Sequence, residues 1–487
     1  MKKKIKKREI KLSDIIEDEI KQNSIRQGFS KNLIKYTKNL IKKKTHTHKD
    51  FTDIPFVTID GDDSKDFDDA VWSKNDKNQT KVMIAIADVS HYVSENDPLD
   101  VEAKKRGNSF YFPDRVIPMF PSEISNDICS LVPHKERKCI VVEVNFKSDN
   151  LKDFKIHRAI IKSVARLTYS EVEEVYKKKN TKNKHFKLIA SLFETYFMLK
   201  KKSEERGKIF FNSDEYKIQM ISDKDFKFKK KISLQSYYLI EEFMVLANSV
   251  IGNFLKKNKI KSLFRNHEKP SKEKINNLKK IINDSNINFS SNFQRQNDFN
   301  NFLKKIKKEN LFFFNEILLR SQSKAYYHEN NKGHFGLSIN DYVHFTSPIR
   351  RYSDLVVHRS VINAYFEKEK KNNVMIFDHL NIQEKKADYI ERRIMERACS
   401  VYLKKISRYE FVGFVDAIES FGVFIKAIDY PFSGLARFRS HNFRSNSKSK
   451  DNFFKVGQLV KFKIKKNNVY SGKILLDKIK VIENEKF

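Results

Sequence analysis

The chain has 487 residues, of which 39% are hydrophobic, so it is no disordered tail and is long enough for two or three domains, since one core rarely outgrows about 250 to 300 residues. Its 97 Lys and Arg outnumber 62 Asp and Glu, leaving +35, and although compositional bias accounts for part of this excess, a polyanionic partner, nucleic acid above all, fits it best. Cys129, Cys139 and Cys399 form no Cys-x-x-Cys pair, no run approaches about 20 apolar residues, and Met1 to Lys7 is followed by acids; a disulfide framework, a structural zinc, a membrane span and an export signal are therefore not expected, and a soluble cytoplasmic protein is.

Residues 1–52 read as a lysine-rich helical segment, with Ile15, Ile16 and Ile20 on one face and Leu33, Ile34, Leu40 and Ile41 on another. Asp53-Ile54-Pro55 breaks the pattern. The β-branched runs Phe56 to Ile59 and Val82 to Ala87 predict buried strands, with an acidic cluster in the loop between them. From about residue 165 to 330 amphipathic helical patterns dominate, notably Leu239 to Phe254, and Lys177 to Lys184 reads as a solvated loop. Beyond about residue 405 short alternating runs follow: Phe411 to Ile418, Val423 to Ile428, Leu459 to Ile464 and Ile474 to Ile482. They predict a small β-barrel, with Arg439 to Lys450 as a flexible basic loop inside it. The fold class expected is α+β, a mixed α/β domain over 53–404 followed by a barrel over 405–487.

Six carboxylates fall within Asp60-Gly61-Asp62-Asp63-Ser64-Lys65-Asp66-Phe67-Asp68-Asp69. Two carboxylates about 4 Å apart repel by roughly 1 kcal/mol in water and roughly 4 kcal/mol near a protein surface, so a divalent cation is the leading neutraliser. Oxygen donors suit hard cations, and a pair of ions about 3.5 to 4 Å apart is suited to phosphodiester cleavage. In an extended stretch Asp66 and Asp68 point one way and Asp69 the other, and Asp60 ends the preceding strand. An EF-hand register from Asp60 fails, because Lys65 stands where Gly is needed and Val71 where Glu is needed. A fully solvated loop is disfavoured by Phe67, Ala70, Val71 and Trp72; pairing with lysines is expected for Asp62 or Asp63 at the tip.

Downstream, His344-Phe345-Thr346-Ser347-Pro348-Ile349-Arg350-Arg351-Tyr352-Ser353-Asp354 reads as a helix start, with Ser347 as N-cap and Pro348 as the first helical residue. Its free N–H groups and Arg350 predict a joint phosphate site, and Arg351 is expected to pair with Asp354. Asp354 and His358, four apart, are expected to form a structural hydrogen-bonded pair rather than a metal site. Glu391 and Glu396 read as surface helix ion pairs. Aromatic residues beside basic ones occur around Tyr111, Phe210-Phe211 and Phe264-Arg265, but with 41 Phe most rings belong to the core.

The segments Ile59 to Ala70 and His344 to Asp354 together resemble the ribonuclease II and ribonuclease R family of exoribonucleases. So do Ala85 to Ser90, Tyr111 to Pro113, Val116 to Met119, Leu239 to Glu242, Leu263 to Arg265 and Gly333 to Leu337, a resemblance spanning about residues 53 to 400 and closer to ribonuclease R. The last barrel, with Gly413-Phe414-Val415 and Phe421-Gly422-Val423-Phe424, resembles an OB-fold of the ribosomal S-one type, which binds single-stranded RNA. The resemblance implies 3′-to-5′ hydrolysis of RNA to nucleoside 5′-monophosphates by metal-activated water, in RNA turnover and processing. It implies two magnesium ions, with manganese as the alternative, held by Asp60, Asp66, Asp68 and Asp69, Asp68 being closest to catalysis. It implies Arg350 on the scissile phosphate, Tyr111 and Phe211 clamping terminal bases, Glu241 as a substrate contact and Glu396 near product release. Single-stranded RNA 3′ ends are the expected partner, and a monomer the expected state.

The sequence departs from the family pattern in two places. Residues 1–50 are too short and too helical for the two cold-shock-type barrels that usually precede the catalytic domain, and no long lysine-rich tail follows the last barrel. Both departures bear on substrate range and processivity, not on the four aspartates. A catalytically inactive RNA-binding relative is the contrasting expectation; such a protein should have lost acids from the loop.

Overall fold

The computed structural model describes residues 10–40, 48–211, 215–222, 225–285, 287–367, 376–406, 410–438 and 454–482. The basic stretch Arg439 to Lys450 and Ile41 lie outside the described residues. A seven-stranded mixed sheet forms the centre. It contains β1 (Lys49–Asp50), β2 (Val57–Asp60), β3 (Asp69–Asp76), β4 (Gln79–Ala87) and, after the short hairpin β5 (Phe110–Tyr111) and β6 (Val116–Ile117), β7 (Glu136–Lys147), β8 (Asn150–Lys162) and β9 (Ala165–Thr168). Its order is β1-β8-β7-β4-β3-β2-β9, with β1 parallel to β8 and β2 parallel to β9. Val82 to Ala87 are all buried, which is why this central strand reads as an unbroken apolar run.

One expectation is corrected here. The acidic cluster does not occupy the whole interval between the two predicted strands, because β3 intervenes and begins at Asp69 itself. Ala70 and Val71 are fully buried and pair with Ala85 and Ile84, so the residues that seemed to intrude on a charged loop are a strand in the sheet.

Two further helices, α1 (Leu12–Gln22) and α2 (Lys31–Leu40), precede the sheet, and α3 (Pro98–Arg106) lies within it in sequence. The middle is helical, as expected: α4 (Tyr169–Lys177), α5 (Phe186–Arg206), α6 (Gln235–Lys257), α7 (Lys272–Asp284), α8 (Gln296–Lys305) and α9 (Lys308–Ser321). The pairs β10 (Tyr216–Ser222) with β11 (Asp225–Lys230) and β12 (Phe264–Asn266) with β13 (Tyr326–His328) are added to it. Contrary to the expectation of no such stretch, α6 is long and apolar enough to cross a bilayer. Here it is a core helix: Leu239, Phe243, Ala247 and Ile251 are fully buried in the cluster that also holds Ile84, Val142 and Leu355.

Helices α10 (Tyr352–Tyr365) and α11 (Phe377–Leu403) lead to a closed five-stranded barrel of β14 (Phe411–Glu419), β15 (Gly422–Ala427), β16 (Ser433–Arg437), β17 (Leu459–Asn467) and β18 (Ile474–Val481). Strand β16, short and containing Gly434, carried no alternating signal and went unpredicted. The barrel has its own core around Val415, Ile425, Val460 and Phe462. Helix α1 packs its predicted face, Ile15, Ile16 and Ile20, against Ile390, Ile394 and Ala398 of α11 and against Phe110 and Ile117 of the β5–β6 hairpin. Buried Glu19 completes that contact with an ion pair to buried Arg397, 2.8 Å.

Candidate active site

Strand β2 delivers Asp60 at its last position, and β3 delivers Asp69 at its first; between them the chain is pinned to the rest of the fold at every turn. Ser130 Oγ accepts from Phe67 N (2.9 Å) and donates to the Lys65 carbonyl (2.9 Å). Leu131 N donates to the Phe67 carbonyl (3.0 Å), Ala87 N to the Asp68 carbonyl (2.8 Å). Arg166 holds the other limb, its Nη2 donating to the carbonyls of Gly61 and Asp62, each at 2.6 Å. Phe67 and Asp68 are consequently buried, in keeping with the expectation that the segment is not fully solvated, whereas Asp62 and Asp63 stand exposed at the tip. Among the described residues neither makes the lysine pair expected of it: fully hydrated carboxylates gain little from a surface ion pair.

The downstream segment meets this loop directly. Ile349 N donates to Asp68 Oδ1 at 2.8 Å, and Arg350 Nε lies 3.4 Å from Asp68 Oδ2. The predicted helix start is corrected: Pro348 to Arg350 form a single turn, closed by Arg351 N on the Ser347 carbonyl at 2.9 Å, and α10 begins only at Tyr352. Arg351 is extended because it bridges to Asn108, with Ser109 N on the Arg350 carbonyl and Tyr352 N on the Gly107 carbonyl. The turn's Ile349 N–H therefore serves a carboxylate of the protein, not an external phosphate. Arg351 does pair with Asp354 (2.8 Å). Asp354 also accepts from Ser347 N, but His358 Nε2 donates to the Phe345 carbonyl (2.7 Å) instead of to Asp354, so the expected pair is not formed.

Electrostatically the cluster is held against its own charge. Burial, then the neighbouring Asp69 and Asp66, push Asp60 above the ordinary carboxylate range, against the pull of Arg350 and Arg166. Burial likewise raises Asp69, and raises Asp68 despite Arg350 and the Ile349 N–H. Buried Asp60 Oδ2 and Asp68 Oδ2 lack hydrogen-bond donors. Carboxylate oxygens without hydrogen-bond donors, on acids that raise one another's pKa, fit a hard divalent cation. Asp66 is engaged by the Tyr111 hydroxyl, which donates to Oδ2 at 2.5 Å, so the exposed Tyr111 ring is anchored at the edge of the acids.

A second set of donors, His48, Asp88 and His91, also brings its ligand atoms within 4.8 Å of one another. It is already supplied with cations: Arg158 lies 2.8 Å from Asp88 Oδ2 and Lys138 Nζ 2.6 Å from His91 Nε2. That cluster reads as a buried ion-pair node, with Asp88 held far below the usual carboxylate range by its partners although burial opposes them.

A model described as the RNB domain matches residues 48–367, the stretch that carries both halves of the acidic site. The chain belongs to the RNB-domain family, that of ribonuclease R. It is 33% identical over 477 residues to ribonuclease R of Buchnera aphidicola (Schizaphis graminum), covering 90% of this chain and 65% of the relative. With ribonuclease R of Escherichia coli it shares 32% identity over 461 residues, 87% of this chain and 56% of the relative. The chain thus spans about three-fifths of the length of these curated relatives. Its fold matches that of a Mycoplasma genitalium RNase R in complex with ribose-methylated single-stranded RNA, with TM-score 0.87 and 28% identity, over 96% of this chain and 78% of that one.

The remaining residues implied by the RNB-family resemblance are spread over several elements. Phe211 is half-buried against the cluster of Phe299 and Phe335. Glu241, on α6, is half-exposed and held by Lys208 Nζ at 2.6 Å; the same buried ammonium lies 2.7 Å from Glu242. Glu396, on α11, pairs with Arg393 (3.1 Å) and faces a groove of about 910 Å³ shared with Phe424, Lys426, Tyr430 and Arg437 of the barrel. The structure therefore gathers Asp60, Asp66, Asp68, Asp69, Arg350 and Tyr111, and sets Glu396 in the α11–barrel groove. Ser130 and Arg166 are the supporting residues that sequence reading missed. Nothing in Cys129-Ser130-Leu131 or Ala165-Arg166-Leu167 marks either as a loop anchor, since their partners lie 63 to 105 residues away.

Proposed function

We propose that the chain is a metal-dependent 3′-to-5′ exoribonuclease that hydrolyses single-stranded RNA to nucleoside 5′-monophosphates, acting in RNA turnover and processing as a cytoplasmic monomer. The observation that carries this reading is one acidic cluster, Asp60, Asp66, Asp68 and Asp69, electrostatically linked within itself and to Arg350, which lies 3.4 Å from Asp68. We assign residues 53–404 the chemistry and 405–487 RNA binding.

Asp60, Asp66, Asp68 and Asp69 would hold the cation, magnesium first and manganese second, and the buried Oδ2 atoms of Asp60 and Asp68, neither of which accepts a hydrogen bond, fit that role. When bound, it would lower the pKa of an attacking water and neutralise charge on the phosphodiester oxygens. Asp68 is the acid best fixed for the task, with its orientation set by Ile349 N and by Arg350. Arg350 donates through one Nη2 bond to Ser347 Oγ (2.9 Å), and its half-exposed guanidinium has N–H groups left for a phosphate oxygen as negative charge builds there. We assign the stacking of a terminal base, a contact of roughly 1 to 3 kcal/mol, to the Tyr111 ring, which is exposed and tied to Asp66 through its hydroxyl. Glu241, steered by Lys208, is offered to the ribose, whose 2′-hydroxyl separates RNA from DNA.

The test is incubation of the purified chain with 3′- and 5′-labelled single-stranded RNA in magnesium, beside Asp68→Asn. Stepwise loss from the 3′ end by the parent alone is expected; a ladder of internal cuts, or equal activity in the variant, refutes the reading.

A further inference from the structure

A small pocket of about 130 Å³ lies where the segment joining α1 to α2 crosses α3 and α11. Arg26, Lys105, Arg106, Asn108, Gln383 and Lys386 line it, and no carboxylate does. The cations differ in how they are satisfied. Glu102, outside the pocket, takes Arg26 (3.0 Å) and Arg106 (2.9 Å), and the other N–H groups of Arg106 go to the carbonyls of Arg26, Pro118 and Gly28. Arg106 thus builds the wall.

Lys386 is different. It is half-buried, burial disfavours its charged form, and among the described residues it has neither an ion pair nor a hydrogen bond. Lys105, exposed at the pocket's wall, is likewise without a partner among the described residues, and among them the amide of Gln383 is unengaged. A cationic, donor-rich concavity with no internal anion is complementary to an external one. Its volume falls well below the roughly 300 to 1,000 Å³ of pockets that take whole small molecules, so it suits a single tetrahedral anion or one group of a larger ligand. Asn108 also lines a neighbouring cavity of about 170 Å³ whose walls include Tyr111, Arg350 and Arg351.

We propose that this pocket is a phosphate-binding site, with Lys386 and Lys105 as its charged donors and, as its neutral ones, Gln383 and the second N–H of Asn108, whose Nδ2 already donates to the Ser109 carbonyl (2.8 Å). The phosphate comes either from an RNA backbone or from a free phosphate monoester. The site stands apart from the acidic loop and does not depend on hydrolysis by the chain.

Both sources are tested on the full chain in chelator, so that catalysis plays no part. One arm titrates inorganic phosphate and adenosine 5′-monophosphate by calorimetry; the other follows a fluorescent single-stranded RNA by anisotropy across a salt series. Lys386→Gln and Lys105→Gln are compared with Lys187→Gln, an exposed lysine on α5 that removes the same charge elsewhere. If the phosphate is free, the two pocket variants weaken the first arm about tenfold or more, the worth of one charge-assisted hydrogen bond. If it belongs to RNA, they flatten the slope of log affinity against log salt by about 0.7 per lost contact. Lys187→Gln should leave the first arm unchanged. Parent-like behaviour of both pocket variants in both arms, or an equal effect of Lys187→Gln, overturns the proposal; thermal melts confirm that the variants are folded. Loss of exonuclease activity in a separate assay would bear on the catalytic reading alone.

Discussion

Ser130→Ala isolates the support of the acidic loop from its chemistry. The hydroxyl is fully buried and touches no candidate ligand, yet it accepts from Phe67 N and donates to the Lys65 carbonyl, on the two sides of Asp66. Removing it deletes two neutral hydrogen bonds, each worth about 0.5 to 1.5 kcal/mol net, and strands the buried Phe67 N–H at a cost of about 1 to 3 kcal/mol. Together these come to roughly 2 to 6 kcal/mol, drawn from the order of the segment that aims Asp66 and Asp68. If about half appears in cation binding, affinity falls about 10- to 100-fold, the range for residues that orient metal ligands. Calorimetric titration of manganese into the RNA-free protein reads this directly, with Ser321→Ala, which loses a bond to the Leu318 carbonyl far from the site, as the matched control. Cation affinity within about twofold of the parent, in a Ser130→Ala protein that still melts cooperatively, would refute the view that this hydroxyl sets the loop.

Arg350→Ala should lower kcat on single-stranded RNA by about 10²- to 10³-fold, the usual effect of losing one donor aimed at developing charge, and a change confined to KM would contradict the assigned role. Glu19→Ala removes one of the two carboxylates that pair with buried Arg397, leaving the half-exposed Asp18 at 2.8 Å, so chemical denaturation should show a loss of about 1.5 to 3 kcal/mol, most of it restored in Glu19→Ala/Arg397→Met. Metal removal should give the protein an inverted pH response. Burial first, then mutual repulsion, raises Asp60, and burial raises Asp69, so the folded state retains protons that the unfolded chain has already released. Stability in chelator should therefore fall as pH rises from the ordinary carboxylate range through the raised one, and magnesium should raise the melting temperature most at the alkaline end. A magnesium-induced shift that is flat from about pH 5 to about pH 9 would count against ligation by these acids.

Much of this architecture was legible because it is written in local periodicity. The apolar run of β4, the faces of α1 and the alternation of four barrel strands each report burial at the residue that carries it. The misplaced features share one cause, tertiary contact overriding a local signal. Ser347-Pro348 has the chemistry of a helix start, but the backbone of Arg350 to Tyr352 pairs with residues 107–109, and the helix waits until Tyr352. Asp69 looks like the end of an acidic loop and is the first residue of a strand, because Ala70 and Val71 behind it are registered against Ala85 and Ile84. Ser130 and Arg166 gave no signal at all: a serine and an arginine acquire their meaning here only from backbone atoms brought to them by the fold.

That override changes what the second segment is for. A helix start at Pro348 would have offered several free N–H groups to a substrate phosphate; the turn found instead commits Ile349 N to Asp68 and leaves the guanidinium of Arg350 as the group free to reach outward. Asp68 is thereby desolvated and aimed by a segment 281 residues away in sequence, and the same contact brings Arg350 alongside it. Acid and arginine are fixed by one turn, so a substitution that displaces the turn should lose both together. Loss of Arg350 alone should leave Asp68 in place, and the distinction is readable as cation affinity lost in the first case and retained in the second.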